Sequence, residues 1–353
     1  MGRVAASLAA ILSLVGLSAC DPMIIEGCES SEDIKVYCGL EKPEDIEPLG
    51  DHPWLLISEL GSGSVPGNIV ALNIETDQLT RLNAGIESNS EFSQCGPAPE
   101  KLRPRGFHVS DLSDGGFLLL VVNAADGERI ERYRVDVGED GPTLTWQGCV
   151  AVPDTVFPND VASTGGDGFV VSHMFDGPRG IGLQAKFLLG IDTGYAVAWD
   201  PARGWTKVEG TEASFPNGVE ADPATGRVFV GSTYGQTFVA ADVTGGRAKS
   251  VRIPVQSDNL TMAPDGRLLS VGHTGIPVVG TRGCQSMAGA PCSFPFAVVA
   301  IDPETLEQEI IYEHKDGRIP GASVALSHKG FLYMGTVFGD RVSRVRISTD
   351  AQP

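Results

Sequence analysis

The chain has no H-E-x-x-H, no G-x-S-x-G and no Walker loop anywhere in its 353 residues, which excludes the familiar zinc-protease, nucleophile-elbow and phosphate-loop chemistries. The glycines of GSGSVPG at 61–67 read as a turn. Basic residues are few: 26 Lys and Arg against 45 Asp and Glu give a net charge of −19. Such a field repels phosphate backbones and anionic headgroups, so nucleic acid is not expected as a partner. None of the seven cysteines shows C-x2-C spacing, which leaves structural zinc as the weaker reading of them. No apolar run reaches the 20 or so residues that span a bilayer. No Pro-rich or Ser-rich linker divides the chain into two bodies.

What is present is glycine and proline, 44 and 23 residues, beside 42% hydrophobic and 20% charged residues. That mixture describes a globular chain with many tight turns and favours all-β structure. At the N-terminus a single Arg3 precedes an apolar run from Val4 to Leu17, the pattern of a signal peptide. Leu17-Ser18-Ala19-Cys20 resembles the bacterial lipobox, in which the cysteine is lipidated; the alternative is an ordinary signal peptide with an incidental cysteine. We therefore expect a lipoprotein signal peptide at 1–19, a lipidated tether at 20–40 that meets the membrane through Cys20, a folded body at 41–347 and a tail at 348–353. The expected location is the periplasmic face of a bacterial cell envelope, and Asp21 resembles an inner-membrane retention signal whose meaning depends on the host. Six cysteines remain, Cys28, Cys38, Cys95, Cys149, Cys284 and Cys292. An even number in an exported chain reads as disulfides; of the 15 pairings we favour Cys28–Cys38, Cys284–Cys292 and Cys95–Cys149.

Within the body one unit recurs, a glycine turn leading into a short strand of apolar residues. It appears at Asp114-Gly115-Gly116, Asp167-Gly168, Thr225-Gly226, Asp265-Gly266 and Lys329-Gly330, with separations of 53, 58, 40 and 64 residues between successive turns. The body holds about six such units, which fits a six-bladed β-propeller. A β-sandwich is the alternative, but its strands recur every 8 to 12 residues.

A second series consists of acids and amides, mostly in adjacent pairs about a blade or more apart: Glu44-Asp45, Asn159-Asp160, Asn217 and Asp258-Asn259. A propeller presents equivalent positions of its blades to one central channel, so these oxygens can converge although they are distant in sequence. Calcium takes six to eight such oxygens in flexible geometry. Alternation along a strand lets each pair serve two levels, an exposed ion and a deeper one. Glu44 and Asp258 would offset the charge of the first ion, and Asp45 and Asp160 that of the second.

With these residues in place the chain resembles the paraoxonase and arylesterase family across most of residues 40–346. The resemblance is carried by PEDIEPL at 43–49, RPRGFHVSDLSDGGFLLLVVN at 103–123, FPNDV at 157–161, FPNGVEADPATGRVFVG at 215–231, SDNLTMAPDGRLLSVGH at 257–273 and GASVALSHKGFLYMGTVF at 321–338. It implies a six-bladed β-propeller with a central calcium-binding tunnel holding two Ca2+ ions. Glu44, Asn159, Asn217, Asp258 and Asn259 would ligate the catalytic ion; Asp45, Asp160 and the carbonyl of Phe107 would ligate the structural one. His173 and His273 match family histidines near the metal. The departures are equally specific. The family's His-Gly-Ile is Arg105-Gly106-Phe107 here, and its histidine after Val-Val-Asn is Ala124. His108, three residues beyond Arg105, should face away from the missing histidine's position. No cysteine follows Cys292, so the family's bridge from the N-terminal region to the last strand cannot form, and ring closure must rest on strand pairing.

The activity implied is that of a calcium-dependent hydrolase of lactones or aryl esters acting without the histidine dyad. As in the gluconolactonase branch, a metal-linked carboxylate, here Asp258, would serve as base while Arg105 orients an anionic substrate. The alternative is a calcium-stabilised propeller without catalysis, acting as an envelope binding or scaffold module. A third reading, the condensation chemistry of the strictosidine synthase branch, lacks this ligand set. Loops 80–100 and 275–295, which would cover the channel, carry no pattern that identifies a substrate.

Overall fold

The computed structural model describes residues 23–347 except 64, 88–91, 93, 94, 126, 276–283 and 285–289. The expected signal peptide, Cys20 and the tail lie outside the described residues. Among those described, no helix is long and apolar enough to cross a membrane.

After β1 (Met23–Ile24) and β2 (Ile34–Cys38), the chain builds successive antiparallel sheets. Blade 1 is β3 (Pro43–Pro48), β4 (Trp54–Glu59), β5 (Asn68–Asn73) and β6 (Gln78–Arg81). The short β7 (Ala84–Ile86) joins the outer edge of blade 2, which comprises β8 (Pro104–Asp111), β9 (Phe117–Asn123), β10 (Arg129–Gly138) and β11 (Gly141–Ala151). Blade 3 is β12 (Pro158–Gly165), β13 (Gly168–His173), β14 (Tyr195–Asp200) and β15 (Gly204–Lys207), with helix α1 (Ile181–Leu188) inserted after β13. Blade 4 is β16 (Pro216–Asp222), β17 (Arg227–Ser232), β18 (Thr237–Asp242) and β19 (Lys249–Arg252). In blade 5, β20 (Gln256–Met262) and β21 (Leu268–His273) are separated from β23 (Phe296–Ile301) and β24 (Gln308–His314) by an excursion containing β22 (Cys292–Ser293), which pairs with β1. Blade 6 is β25 (Val324–His328), β26 (Phe331–Gly335) and β27 (Arg341–Arg346), completed by β2. The fold is a six-bladed β-propeller.

The recurring glycine turn has one structural meaning: in blades 2 to 6 it joins the innermost strand to the second. Gly115, Gly226, Gly266 and Gly330 take φ between 68° and 89°, backbone that only glycine adopts freely. The second strands that follow, such as Phe117–Asn123 and Leu268–His273, are buried at every residue. They lie between neighbouring blades, so both faces must be apolar. The core is accordingly not one cluster but six layers, each between consecutive blades. Leu56, Phe107 and Val121 fill one, between blades 1 and 2; Phe229, Leu268 and Val299 fill another, between blades 4 and 5.

Residues 34–38, which the sequence reading assigns to the tether, are the outermost strand of blade 6, running antiparallel to β27 from Ile34 opposite Val345 to Cys38 opposite Arg341. The N-terminal segment thus closes the ring by strand pairing. Asp33 pairs with Arg318 at 2.8 Å, and Lys35 pairs with Asp77 of blade 1. All three favoured disulfides, Cys28–Cys38, Cys95–Cys149 and Cys284–Cys292, are formed. The first fastens β2 to the turn before it rather than to the last blade. Ile34 packs into the layer between blades 5 and 6. Ile34→Ala should therefore destabilise the whole ring by about 2–5 kcal/mol, read as a lowered midpoint in urea unfolding. An unchanged midpoint would mean that β2 does not hold the closure.

Candidate metal centre

The innermost strands of five blades open alike: Pro43-Glu44-Asp45, Pro104-Arg105-Gly106, Pro158-Asn159-Asp160, Pro216-Asn217-Gly218 and Ser257-Asp258-Asn259. In each, the register with the second strand slips by one residue at this point. The slip is a β-bulge, which places two residues against one on the partner strand and re-aims their side chains. Simple alternation would send the paired residues to opposite faces. The bulge instead lets both members of a pair be buried at the channel, as Glu44 and Asp45 are, each 3% exposed.

The oxygens expected at the upper ion come from the first position of the motif in blades 1, 3 and 4 and from both positions in blade 5. Glu44 Oε2, Asn159 Oδ1, Asn217 Oδ1 and Asn259 Oδ1 are all buried without a hydrogen-bond partner. Their amide nitrogens, by contrast, are held: Asn159 Nδ2 approaches Met174 Sδ at 3.6 Å, Asn217 Nδ2 donates to Thr233 Oγ1 at 3.0 Å, and Asn259 Nδ2 donates to the Glu44 carbonyl at 3.2 Å. Fixing the nitrogen fixes where the oxygen points. Buried oxygens are normally satisfied, so four unsatisfied ones on four blades, all in the set expected to ligate the upper ion, are a donor array that a hard cation fits. The fifth expected ligand, Asp258, accepts a hydrogen bond from Asn217 and lies close enough to Glu44 to raise its pKa.

In blades 1 and 3 the second position carries an acid with a different bonding pattern. Asp45 accepts from the amides of Ile46 (2.9 Å) and, across to blade 2, Phe107 (3.0 Å). Asp160 accepts from Val161 and, across to blade 4, Val219, both at 2.8 Å. Each carboxylate therefore stitches its blade to the next. Glycine at 106 and 218 permits this closeness: a Cβ on Gly106 would collide with the Asp160 carboxylate, and one on Gly218 with the backbone of Asp258–Leu260.

The remaining expected residues divide. Arg105 is tied by its guanidinium to the Pro158 carbonyl and, at 3.2 Å, to Glu128. His173 uses both ring nitrogens, Nδ1 accepting from the Phe157 amide and Nε2 meeting Asp176, each at 3.0 Å. It is thereby a positioning residue for the Phe157-Pro158-Asn159 segment. His273 has an unpartnered Nε2 and stands edge-on to Phe294, 4.1 Å between centroids. Burial holds it near 3, neutral at any ordinary pH. Beside the polar ring runs an apolar wall, unread in the sequence, in which Phe157, Phe175, Phe215 and Tyr234 cluster with Phe187 of α1. Sequence reasoning also missed a deeper group, Glu47, His108 and Glu220. The legible signal was the same offset of three residues from Glu44, Arg105 and Asn217; the bulge overrides the alternation that turns His108 away.

Burial dominates the electrostatics. It pushes Asp258 and Asp45 up to about 7 and Glu220 to about 8, and it raises Glu44, Asp160 and Glu47 well above the usual carboxylate range, helped by their neighbours' charge. It lowers His108 to about 4. Because the acids bind protons more tightly folded than unfolded, the metal-free chain loses stability as pH rises from near 4, where the unfolded acids titrate, through about 7. In chelator, melting temperature should therefore be lower at about pH 8 than at about pH 5, with the slope flattened by added calcium. A rising slope in calorimetry would refute the assignment of these acids as desolvated.

No protein-family model and no curated protein matches the sequence. Solved structures do match. A gluconolactonase from Xanthomonas campestris is 13% identical, with a TM-score of 0.51 over 93% of this chain and 96% of that one. A luciferin-regenerating enzyme is 12% identical, with a TM-score of 0.51 over 90% and 96%. A protein of unknown function from Bacteroides thetaiotaomicron is 8% identical, with a TM-score of 0.55 over 92% of this chain and 75% of that one. At these identities the likeness is one of fold, and the neighbours are gluconolactonase-like propellers.

Proposed function

We propose that the chain is a calcium-dependent hydrolase of lactones or aryl esters, with its active centre at the upper level of the channel. The observation that carries this reading is the set of four unpartnered buried oxygens, Glu44 Oε2 and the Oδ1 atoms of Asn159, Asn217 and Asn259. In this reading those residues and Asp258 hold one Ca2+, and Asp45, Asp160 and the Phe107 carbonyl hold a second, structural one. Calcium bound at the upper level would polarise the ester carbonyl and stabilise the developing oxyanion. The paraoxonase-like motifs support the ligand assignment, and the gluconolactonase-like neighbours support the propeller that presents it.

The chain's own residues supply the rest. Asp258 is partly exposed whereas Glu44 is buried, so Asp258 is the carboxylate that water can reach, and it serves as the base that accepts the water's proton. The hydrogen bond from Asn217 aims it. Arg105 is held beside the site by Pro158 and Glu128 and presents a fixed positive charge to the substrate's acid side. The aromatic wall of Phe157, Phe175 and Phe215 gives an apolar substrate body a surface to lie against, the usual composition of a small-molecule site. We place this site in a protein anchored through Cys20 to the cell envelope.

The test is turnover of a panel of lactones and phenyl acetate by the purified chain, with calcium and with chelator. Calcium-dependent hydrolysis is expected, and Asp258→Asn should lower kcat/KM by at least about 100-fold. A melting temperature that responds to calcium, with no turnover on any substrate, would replace this reading with the non-catalytic binding propeller.

A further inference from the structure

Three side chains that the proposed reaction does not use stand together farther along the channel. Glu47 on β3, His108 on β8 and Glu220 on β16 come from blades 1, 2 and 4, and one ligand atom of each lies within 4.8 Å of the other two. His108 Nδ1 is 3.8 Å from Glu47 Oε1 and 3.7 Å from Glu220 Oε1. Those separations are too long for hydrogen bonds. They are close to the edge of about 3.4 Å that a tetrahedral ion with bonds of 2.0 to 2.2 Å sets between its ligand atoms. A small inward movement of each group would complete the contact.

The surroundings do not otherwise account for the cluster. The side chains of Glu47 and Glu220 are 14% and 4% exposed, and among the described residues the imidazole is the only basic group within 4 Å of either. Two desolvated carboxylates side by side are unfavourable as a charged pair unless they take up a proton or a cation lies between them. Glu220 is already oriented by the amide of Ala221 at 2.8 Å, the kind of outer bond that fixes metal-ligating carboxylates. The level is also separate from the two above it: Glu47 is two residues, roughly 7 Å of extended chain, beyond Asp45.

We propose that Glu47, His108 and Glu220 form a further metal site at the deep end of the channel, specific for a divalent d-block ion such as Zn2+ rather than for calcium. The imidazole decides the class of ion, because calcium coordinates oxygen whereas imidazole suits zinc and its neighbours. Two carboxylates match the double charge and leave the complex neutral. With three protein ligands, water fills the fourth position.

The untagged full chain, stripped with chelator and re-equilibrated in excess calcium to fill the oxygen sites, is mixed with Zn2+ or with Co2+ as a coloured substitute, desalted and analysed for metal. Retention of about one equivalent of zinc, with the visible spectrum of four-coordinate Co2+, is expected. Removing a group that merely orients a ligand weakens metal binding about 10- to 100-fold, so His108→Asn and Glu220→Gln should each weaken zinc at least tenfold while leaving the calcium response of the melting temperature intact. Glu47→Gln gives the same readout should either variant fail to fold. Zinc retention unchanged in the folded variants, or no stoichiometric retention by the parent chain, would overturn the proposal without bearing on the hydrolase reading.

Discussion

Desolvated negative charge along the channel axis is the constraint around which the structure is organised. Glu44, Asp45, Glu47, Asp160, Glu220 and Asp258 are carried by the inner strands of blades 1, 3, 4 and 5, and every one has its pKa raised chiefly by burial. Carboxylates so placed oppose the closing of the ring, since bringing the blades together brings the charges together. What opposes the repulsion is spread over the periphery, six apolar layers between consecutive blades, each of about a dozen buried side chains. Burial of apolar surface yields roughly 25 cal/mol per Å2, so these layers can hold together an axis that is unfavourable on its own. Stability resides in the layers, and the desolvated acids line the channel. The two are connected only through the inner strands.

Blade 2 breaks the acidic pattern. At the positions where its neighbours carry acids or amides it has Arg105, Gly106 and His108. The glycine leaves room for the Asp160 carboxylate, and the imidazole faces Glu47 and Glu220. Arg105 reaches the Pro158 carbonyl of blade 3. Blade 6 is silent in a different way, contributing Ala322 and Ser323, whose hydroxyl donates to the Glu44 carbonyl at 2.7 Å. It supports the channel without adding charge to it, and it is the blade closed by the N-terminal strand.

How much of this could be read beforehand depends on whether a residue's role is set locally. The glycine turns were legible because the innermost hairpin of each blade requires the same backbone reversal, and Asp114-Gly115-Gly116 or Asp265-Gly266 announces it without reference to anything distant. The pairs Glu44-Asp45 and Asn159-Asp160 were legible because adjacent acids and amides are otherwise rare before a buried strand. Residues 34–38 were not: an edge strand needs only one apolar face, and Lys35 and Asp33 are there to pair with Asp77 and Arg318, contacts that no local pattern contains. Helix α1 was missed because its Ile181 and Leu188 are exposed, so its apolar residues do not form a single inward stripe. Glu47, His108 and Glu220 were missed for a geometric reason. Strand alternation assigns them to the face opposite Glu44, Arg105 and Asn217, and only the bulge between them, a feature of pairing and not of composition, returns them to the channel.

The same bulge bears on where a proton can go. Arg105 cannot act as a base, because a guanidinium is not deprotonated in proteins, and its attachment to Pro158 and Glu128 keeps it from swinging aside to admit another residue. His108 is too deep in the channel and already faces two carboxylates. His173 has both nitrogens engaged, and His273 is buried against Phe294 and Phe338. Among the acids, Glu44, Asp45 and Asp160 are closed off from solvent, each 3% exposed. Elimination on geometry thus leads to Asp258, the upper-level acid that is partly exposed. In the proposed hydrolysis the base therefore comes from the upper level of the channel itself. Asp258 is also one of the groups proposed to hold the ion, which would tie proton transfer and ion binding to a single side chain.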